Sequence, residues 1–306
     1  MFIESQNAIL KENLRTRILE GKREACDLKF SDFDDVRFRL AVDRDTPNIA
    51  RVCIGLNSWN VLGKNGSKDK LNTLFPGMLT AAEDGFDVCL EFDLDKLKDP
   101  NDFLEQISDV KKHILGGPME AAMKALVAGK VTDTSLTRIN VRSDHAIFVC
   151  PKADRVVVIL HVAFKEQTDK ALSRIFMQEF AEAKRTVTGL SIPNVSYSKD
   201  APTELAGQSF TNLADSSGFL LFQFESKTLA GADCIPAAVY LLTGFRTYLL
   251  YHIKATKTYL HMRMRKRVAD WLQVLNRAKP EPAEPKEKKS ITGKTLSTAG
   301  TNAMSK

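Results

Sequence analysis

LTRINVRSDHAIFVCPKADRVVVILHVAF, residues 136–164, spells three strands in close succession. LTRINV and HAIFVC are short and bounded by turn residues, while RVVVILHVAF is nearly continuous in apolar residues, as a strand covered on both faces is. The last of the three is therefore expected at the centre of a sheet. The same order stands once before, in DLKFSDF, VRFRLAV and ARVCIGL between residues 27 and 56. A polar helical connection follows the first trio from about residue 58 to 75, then the strand-like runs GMLTAAE and FDVCLEFDL, then a helical region from 101 to about 128. After the second trio, DKALSRIFMQEFAEAKR reads as a helix with Leu172, Ile175, Phe176, Phe180 and Ala183 on one face. NVSYSK and GFLLFQFES read as two more strands, and from Ile235 the chain is helical again.

Both halves thus spell β-β-β-α-β-β-α. The expected fold class is α+β, with two tandem similar domains, the second ending in a long C-terminal helix. The first domain would cover residues 1–130, with an N-terminal helix carrying Phe2, Ile3, Ile9, Leu10, Leu14 and Ile18. The second would cover 131–280, including the long helix at about 236–278, and 281–306 would form a basic tail. LGGPME and the stretch 129–135 are the expected breaks. One large α+β domain is the alternative that the same elements allow.

A chain of 306 residues with 43% hydrophobic and 27% charged residues has the balance of a soluble globular protein. No apolar run approaches the ~20 residues that cross a bilayer, and the N-terminus lacks a signal-peptide core, so a cytoplasmic location is expected. The five cysteines, at 26, 53, 89, 150 and 234, are widely spaced and odd in number. They read as reduced, mostly buried thiols, without the spacing of a disulfide frame or a zinc site.

Motifs for catalysis fail on inspection. ITGKT resembles the end of a phosphate-binding loop, but Lys288 stands where its first glycine is needed. DLDKLKDPNDFLE looks like a calcium loop until Leu97 and Lys98 fill the fifth-ligand and glycine positions, so a solvated turn before a helix reads better. The five histidines form no close ligand pair, and His161, inside an apolar strand, reads as a hydrogen-bonded core residue. No enzyme, cofactor or metal is expected.

The final helix carries the most information. Pro236 suits its first turn, with Asp233 near the N-cap, and Pro280 would stop it. Its length far exceeds the ~11–12 residues of a mean helix, so part of it must lie against something besides its own sheet. At 100° per residue, Leu242, Leu249, Ile253, Leu260, Met264, Val268, Trp271, Val274 and Leu275 form one apolar stripe, and Tyr248, Tyr251, Ala255, Tyr259 and Met262 gather opposite. Two apolar faces imply two packing surfaces. The seams hold Lys254, His261 and Arg265 on one side, and His252, Arg263 and Lys266 on the other. From residue 251 to 289, eleven lysines and arginines stand against four acids, a surplus that exceeds the +6 of the whole chain. These cations either keep the helix soluble or form a footprint for an acidic polymer: nucleic acid, anionic lipid or an acidic protein filament. A nucleic-acid-binding module is the alternative reading of the helix.

FRTYLLYHIKATKTYLHMRMRKRVADWLQVLNRAKP, followed by KKSITGKTLST, resembles the C-terminal signature of the subunit 2 (34 kDa subunit) family of the actin-related protein 2/3 complex. RIFMQEFAEAKR is similar to that family's second-domain helix, and FSDFDDVRFRL to its early strands. KNGSKDK and LGGPMEAAMKALVAG depart from it. The resemblance implies two similar α/β domains and a non-catalytic scaffold subunit without ATP or other cofactor. It implies partners in subunit 4, whose corresponding helix would pack on the C-terminal helix to form the structural core, and in the side of an actin filament, where branches are nucleated. It places the chain in the cytoplasm at the actin cytoskeleton, with no nucleic acid or membrane span involved. On that footing Lys254, Lys257, Arg263, Arg265, Lys266 and Arg267 would face the acidic filament. Ile253, Leu260, Met264, Val268, Trp271 and Leu275 would anchor the subunit pair. Lys257 and Arg267 lie near the apolar stripe and could instead pair with acids on the partner helix.

Overall fold

Each half of the chain builds one five-stranded antiparallel sheet, and the two sheets share one strand order. The computed structural model describes residues 6–32, 34–183, 193–208, 210 and 215–278. In the first sheet, β1 (Cys26–Ser31), β2 (Arg37–Val42) and β3 (Ile49–Gly55) form a meander, followed by β4 (Leu79–Thr80) and β5 (Val88–Asp93), in the order β1-β2-β3-β5-β4. The second contains β6 (Thr137–Arg142), β7 (His145–Pro151), β8 (Arg155–Ala163), β9 (Asn194–Ser198) and β10 (Ser216–Glu225), in the order β6-β7-β8-β10-β9. The expected repeat is present as a repeat of topology. As its apolar run requires, β8 is central: it pairs with β7 and β10, and its residues Val156 to Ala163 are buried.

The helices are α1 (Ala8–Ile18), α2 (Trp59–Leu62), α3 (Ser67–Leu74), α4 (Pro100–Ser108), α5 (Val110–Val127), α6 (Gln167–Ala183) and α7 (Cys234–Arg277). Asn7 caps α1 by accepting from Leu10 N at 3.0 Å, while Phe2 and Ile3 lie outside the described residues. The pseudo-calcium segment is the start of α4: Asp99 accepts from Asn101 N and Asp102 N, each at 3.1 Å, with Pro100 in the first turn. On α6, Leu172, Phe176 and Phe180 pack on the core, but Ile175 is 60% exposed and the fully covered residues are Ser173 and Met177. The apolar face of α6 is therefore rotated from the expected one.

LGGPME, expected as a break, lies inside α5. Its two glycines permit close approach of two different neighbours, about 100° apart around that helix. A Cβ on Gly116 would stand 2.3 Å from Val239 Cγ1 of α7, and one on Gly117 would stand 2.6 Å from Ser67 Cα of α3. Pro118 lacks the N–H that would reach the Ile114 carbonyl one turn back. Ser67 Oγ supplies the missing donor, at 2.6 Å from Ile114 O in a fully buried setting. The break expected at 129–135 falls after α5, where Gly129 has φ +64° and the chain to residue 136 is irregular.

Although α5 belongs to the first half, it packs on β7 and β8 of the second sheet. One continuous apolar core accordingly joins residues of both sheets, from Val52, Leu90 and Phe92 to Val158, Leu220 and Phe222, with Leu242, Phe245 and Leu249 of α7. Residues up to Ile253 make one compact unit, and those from Lys254 make a second. The basic tail and Pro280 lie outside the described residues.

The cysteine expectation needs correction. Cys53 on β3 and Cys89 on β5 are directly opposed across neighbouring antiparallel strands and are joined as a disulfide. Strand pairing brings together residues 36 positions apart, so no local spacing announces the pair. Cys26, Cys150 and Cys234 are free thiols.

Candidate interaction surface

Helix α7 runs for 44 residues, about 66 Å at 1.5 Å per residue. Its burial changes abruptly. Val239, Leu242, Phe245, Leu249 and Ile253 are buried, and Phe245 meets the rings of Phe180 and Phe222 in edge contacts. Between these apolar residues stands one buried cation. Arg246, 5% exposed, donates from Nη1 to Asp34 Oδ1 at 3.0 Å and from Nη2 to Asp144 Oδ2 at 3.2 Å. Asp34 sits in the β1–β2 connection and Asp144 in the β6–β7 connection, so each sheet supplies one acid from the corresponding turn. Lys111 of α5 also binds Asp34. Burial alone would raise the Asp34 pKa, but the charge and hydrogen bond of Lys111, with the charge of Arg246, hold it below the ordinary carboxylate value. Sequence reading passed over Arg246, because an arginine in a helix normally marks a solvated face.

Beyond Ile253 the residues of α7 are exposed, except for half-buried Lys257. Ile253 itself, expected at the subunit interface, is only 2% exposed and belongs to the chain's own core. The intrachain face extends one helical turn past Leu249, and that turn removes Ile253 from the interface set. The other five expected anchors are open: Leu260 45%, Met264 64%, Val268 58%, Trp271 68% and Leu275 54% exposed. Their spacing of four, four, three and four residues keeps them on one stripe. Leu272 and Val274 widen it, and Tyr251, Tyr259 and Met262 are exposed on the other side. So many large apolar groups in water over six helical turns are the signature of an unfilled packing surface.

The expected cations Lys254, Arg263, Arg265, Lys266 and Arg267 are exposed along the same segment. Arg263 lies over the Tyr259 ring, 5.6 Å from its centroid, so its guanidinium is positioned by an aromatic one turn away. The helix therefore presents a wide apolar stripe flanked by fixed positive charge, a combination suited to an amphipathic, partly acidic protein surface.

Several groups that could serve catalysis are otherwise engaged. His161 is buried, stacks on Phe219 at 4.8 Å and shares a 3.1 Å hydrogen bond with Ser216 Oγ. His145 Nδ1 donates to His161 O at 3.0 Å. Burial, with the charge of Arg138 for His161 and of Arg246 for His145, lowers both imidazoles to about 4. A depression of about 400 Å³ is lined by Cys150, Lys152, Thr203 and Glu204 among others. Its thiol, pushed up to about 12 mainly by burial, is no nucleophile, and Lys152 and Glu204 pair with each other at 3.1 Å.

Comparison with known proteins agrees with this picture. The model of the family described as "Arp2/3 complex, 34 kD subunit p34-Arc" matches residues 52–282. The chain is 33% identical over 301 residues to actin-related protein 2/3 complex subunit 2 of Dictyostelium discoideum, covering 96% of this chain and 98% of that one. It is 27% identical over 316 residues to subunit 2A of Arabidopsis thaliana, covering 99% and 98%. The family match spans the second sheet, α7 and, of the first sheet, the end of β3 with β4 and β5, and the relatives cover nearly the whole length. The chain belongs to the family of the 34 kDa structural, non-catalytic subunit of the actin-related protein 2/3 complex.

Proposed function

We propose that this chain is a scaffold subunit that pairs with subunit 4 of the actin-related protein 2/3 complex and contacts the side of an actin filament, supporting nucleation of branched actin in the cytoplasm. The observation that carries this reading is the apolar stripe Leu260, Met264, Val268, Trp271 and Leu275, exposed on a helix whose earlier half packs one face into the chain's own core. A stripe of that width is best covered by another helix. Lys254, Lys257, Arg263, Arg265, Lys266 and Arg267 then supply the basic surface for the filament, with Lys257 and Arg267 near enough to the stripe to reach acids of the partner helix. Residues 1–130 and 131–280 are the two topological repeats of the scaffold, and 281–306 is its basic tail.

The test is assembly. Leu260→Asp with Met264→Asp changes only exposed side chains, so the chain should melt normally by circular dichroism. In a pull-down from a reconstituted set of subunits, subunit 4 should no longer be retained. Retention at the unmodified level would overturn the pairing.

A further inference from the structure

We propose that Cys53 and Cys89 form a reversible, redox-responsive disulfide whose access to solvent is gated by Glu83. The two cysteines occupy directly opposed positions on β3 and β5, and they are 1% and 0% exposed. They point away from the shared core, on the face that carries Arg39, Arg51 and Glu91. A Glu83 carboxylate oxygen and the two sulfurs all lie within 4.8 Å of one another. Glu83 belongs to the irregular loop between β4 and β5, and that loop is tied down at two places. Both carboxylate oxygens of Glu83 accept from arginines, Oε2 from Arg39 and Oε1 from Arg51 Nη1 at 2.9 Å. Four residues on, Asp87 N donates to Ile54 O at 2.9 Å, and Asp87 Oδ2 accepts from Leu56 N at 2.7 Å.

The same three side chains could be read as a metal site, but the donor chemistry is against it. The sulfurs are bonded to each other and offer no thiolate, and both Glu83 oxygens are already engaged by cations. A disulfide in a cytoplasmic protein is in most cases transient and redox-sensing, since glutathione and thioredoxin keep ordinary thiols reduced. This step rests on the cytoplasmic reading proposed above; the bond itself does not. The chemistry is thiol–disulfide exchange with a dithiol. One thiolate of the dithiol attacks one sulfur of the pair, releasing the other as thiolate. The second thiol of the dithiol then displaces the remaining cysteine, so the pair gains two electrons and two protons and the reductant leaves as a disulfide. Because both sulfurs are covered, attack requires the Glu83 loop to open, and the two arginines set how often it does.

Peptide mapping of the full-length chain, purified without reductant, denatured in N-ethylmaleimide and digested, tests the bond. The expected product is a peptide pair joined through Cys53 and Cys89, with Cys26, Cys150 and Cys234 alkylated. Alkylation of Cys53 and Cys89 as well, with or without release of zinc, overturns the proposal. The gate is tested on native protein by the rate of reduction with dithiothreitol. Glu83→Gln, which takes the carboxylate charge away from both arginine contacts, should speed it at least roughly tenfold. Arg39→Gln should act in the same direction. Equal rates in the parent chain and both variants overturn the gate. Neither readout depends on assembly, so failure here is distinct from failure of the subunit pairing.

Discussion

The Arg246 guanidinium reaches Asp34 Oδ1 at 3.0 Å from the first third of α7, tying the terminal helix to the first hairpin of the chain across 212 residues of sequence. Its other arm reaches Asp144 in the second sheet. Removing one partner of a buried pair strands the other, so Arg246→Met should destabilise the chain by about 3–5 kcal/mol in urea unfolding. Adding Asp34→Asn should cost less than the sum of the single changes. Strict additivity would show that the pair is not coupled.

Three histidines sheltered from water give stability a pH dependence of known sign. Unfolded imidazoles take up a proton near 6.5, whereas His145, His161 and His113 on α5, the last held down mainly by burial, resist until about 4. Between those values the unfolded state binds more protons, so stability falls as pH falls, with a slope approaching about 4 kcal/mol per pH unit for three groups. Above pH 6.5 these rings contribute nothing. Asp34 has a lowered pKa, so its contribution is complete above its unfolded value and fades only below that, outside this window. Melting curves from pH 7.5 to 4.5 should show the loss, and His161→Gln should reduce the slope by about one proton.

Ser67 and Pro118 should prove interdependent. Ser67→Ala leaves the Ile114 carbonyl buried and without its donor, at a cost of about 1–3 kcal/mol. With Pro118→Ala, the restored backbone N–H can reach the same carbonyl, and Ser67→Ala should cost measurably less in that background. Thermal unfolding of the four chains reads the coupling directly.

Charge reversal at Arg263 and Arg265 tests the filament surface. Both side chains are exposed, so folding and subunit assembly should survive. Co-sedimentation of the assembled complex with actin filaments should weaken severalfold at low salt, and less so as salt screens the parent interaction. Undiminished co-sedimentation would remove these two residues from the filament surface.

The strands of this fold were legible because alternation and apolar runs report local burial. DLKFS, RFRLAV and RVVVILHVA fall on β1, β2 and β8, and the doubled order followed from such runs. What escaped depends on neighbours that sequence does not name. LGGPME reads as a break until α3 and α7 are seen pressing on its glycines, and Cys53 acquires a partner only through the β3–β5 register. The two faces of α7 were legible from periodicity, but the point at which its own core ends was not. That point depends on how far the sheets and α6 extend along the helix, and it moved Ile253 from the interface to the core.

The exposed stripe also has a consequence for the life of the chain before assembly. A polypeptide that keeps Leu260, Met264, Val268, Trp271 and Leu275 in water is prone to self-association, and to capture by chaperones and proteases that recognise such surfaces. If a sister helix covers them, free copies made in excess of that helix are the ones left vulnerable. The abundance of this subunit would then follow its partner's supply, with stoichiometry set by the removal of orphans.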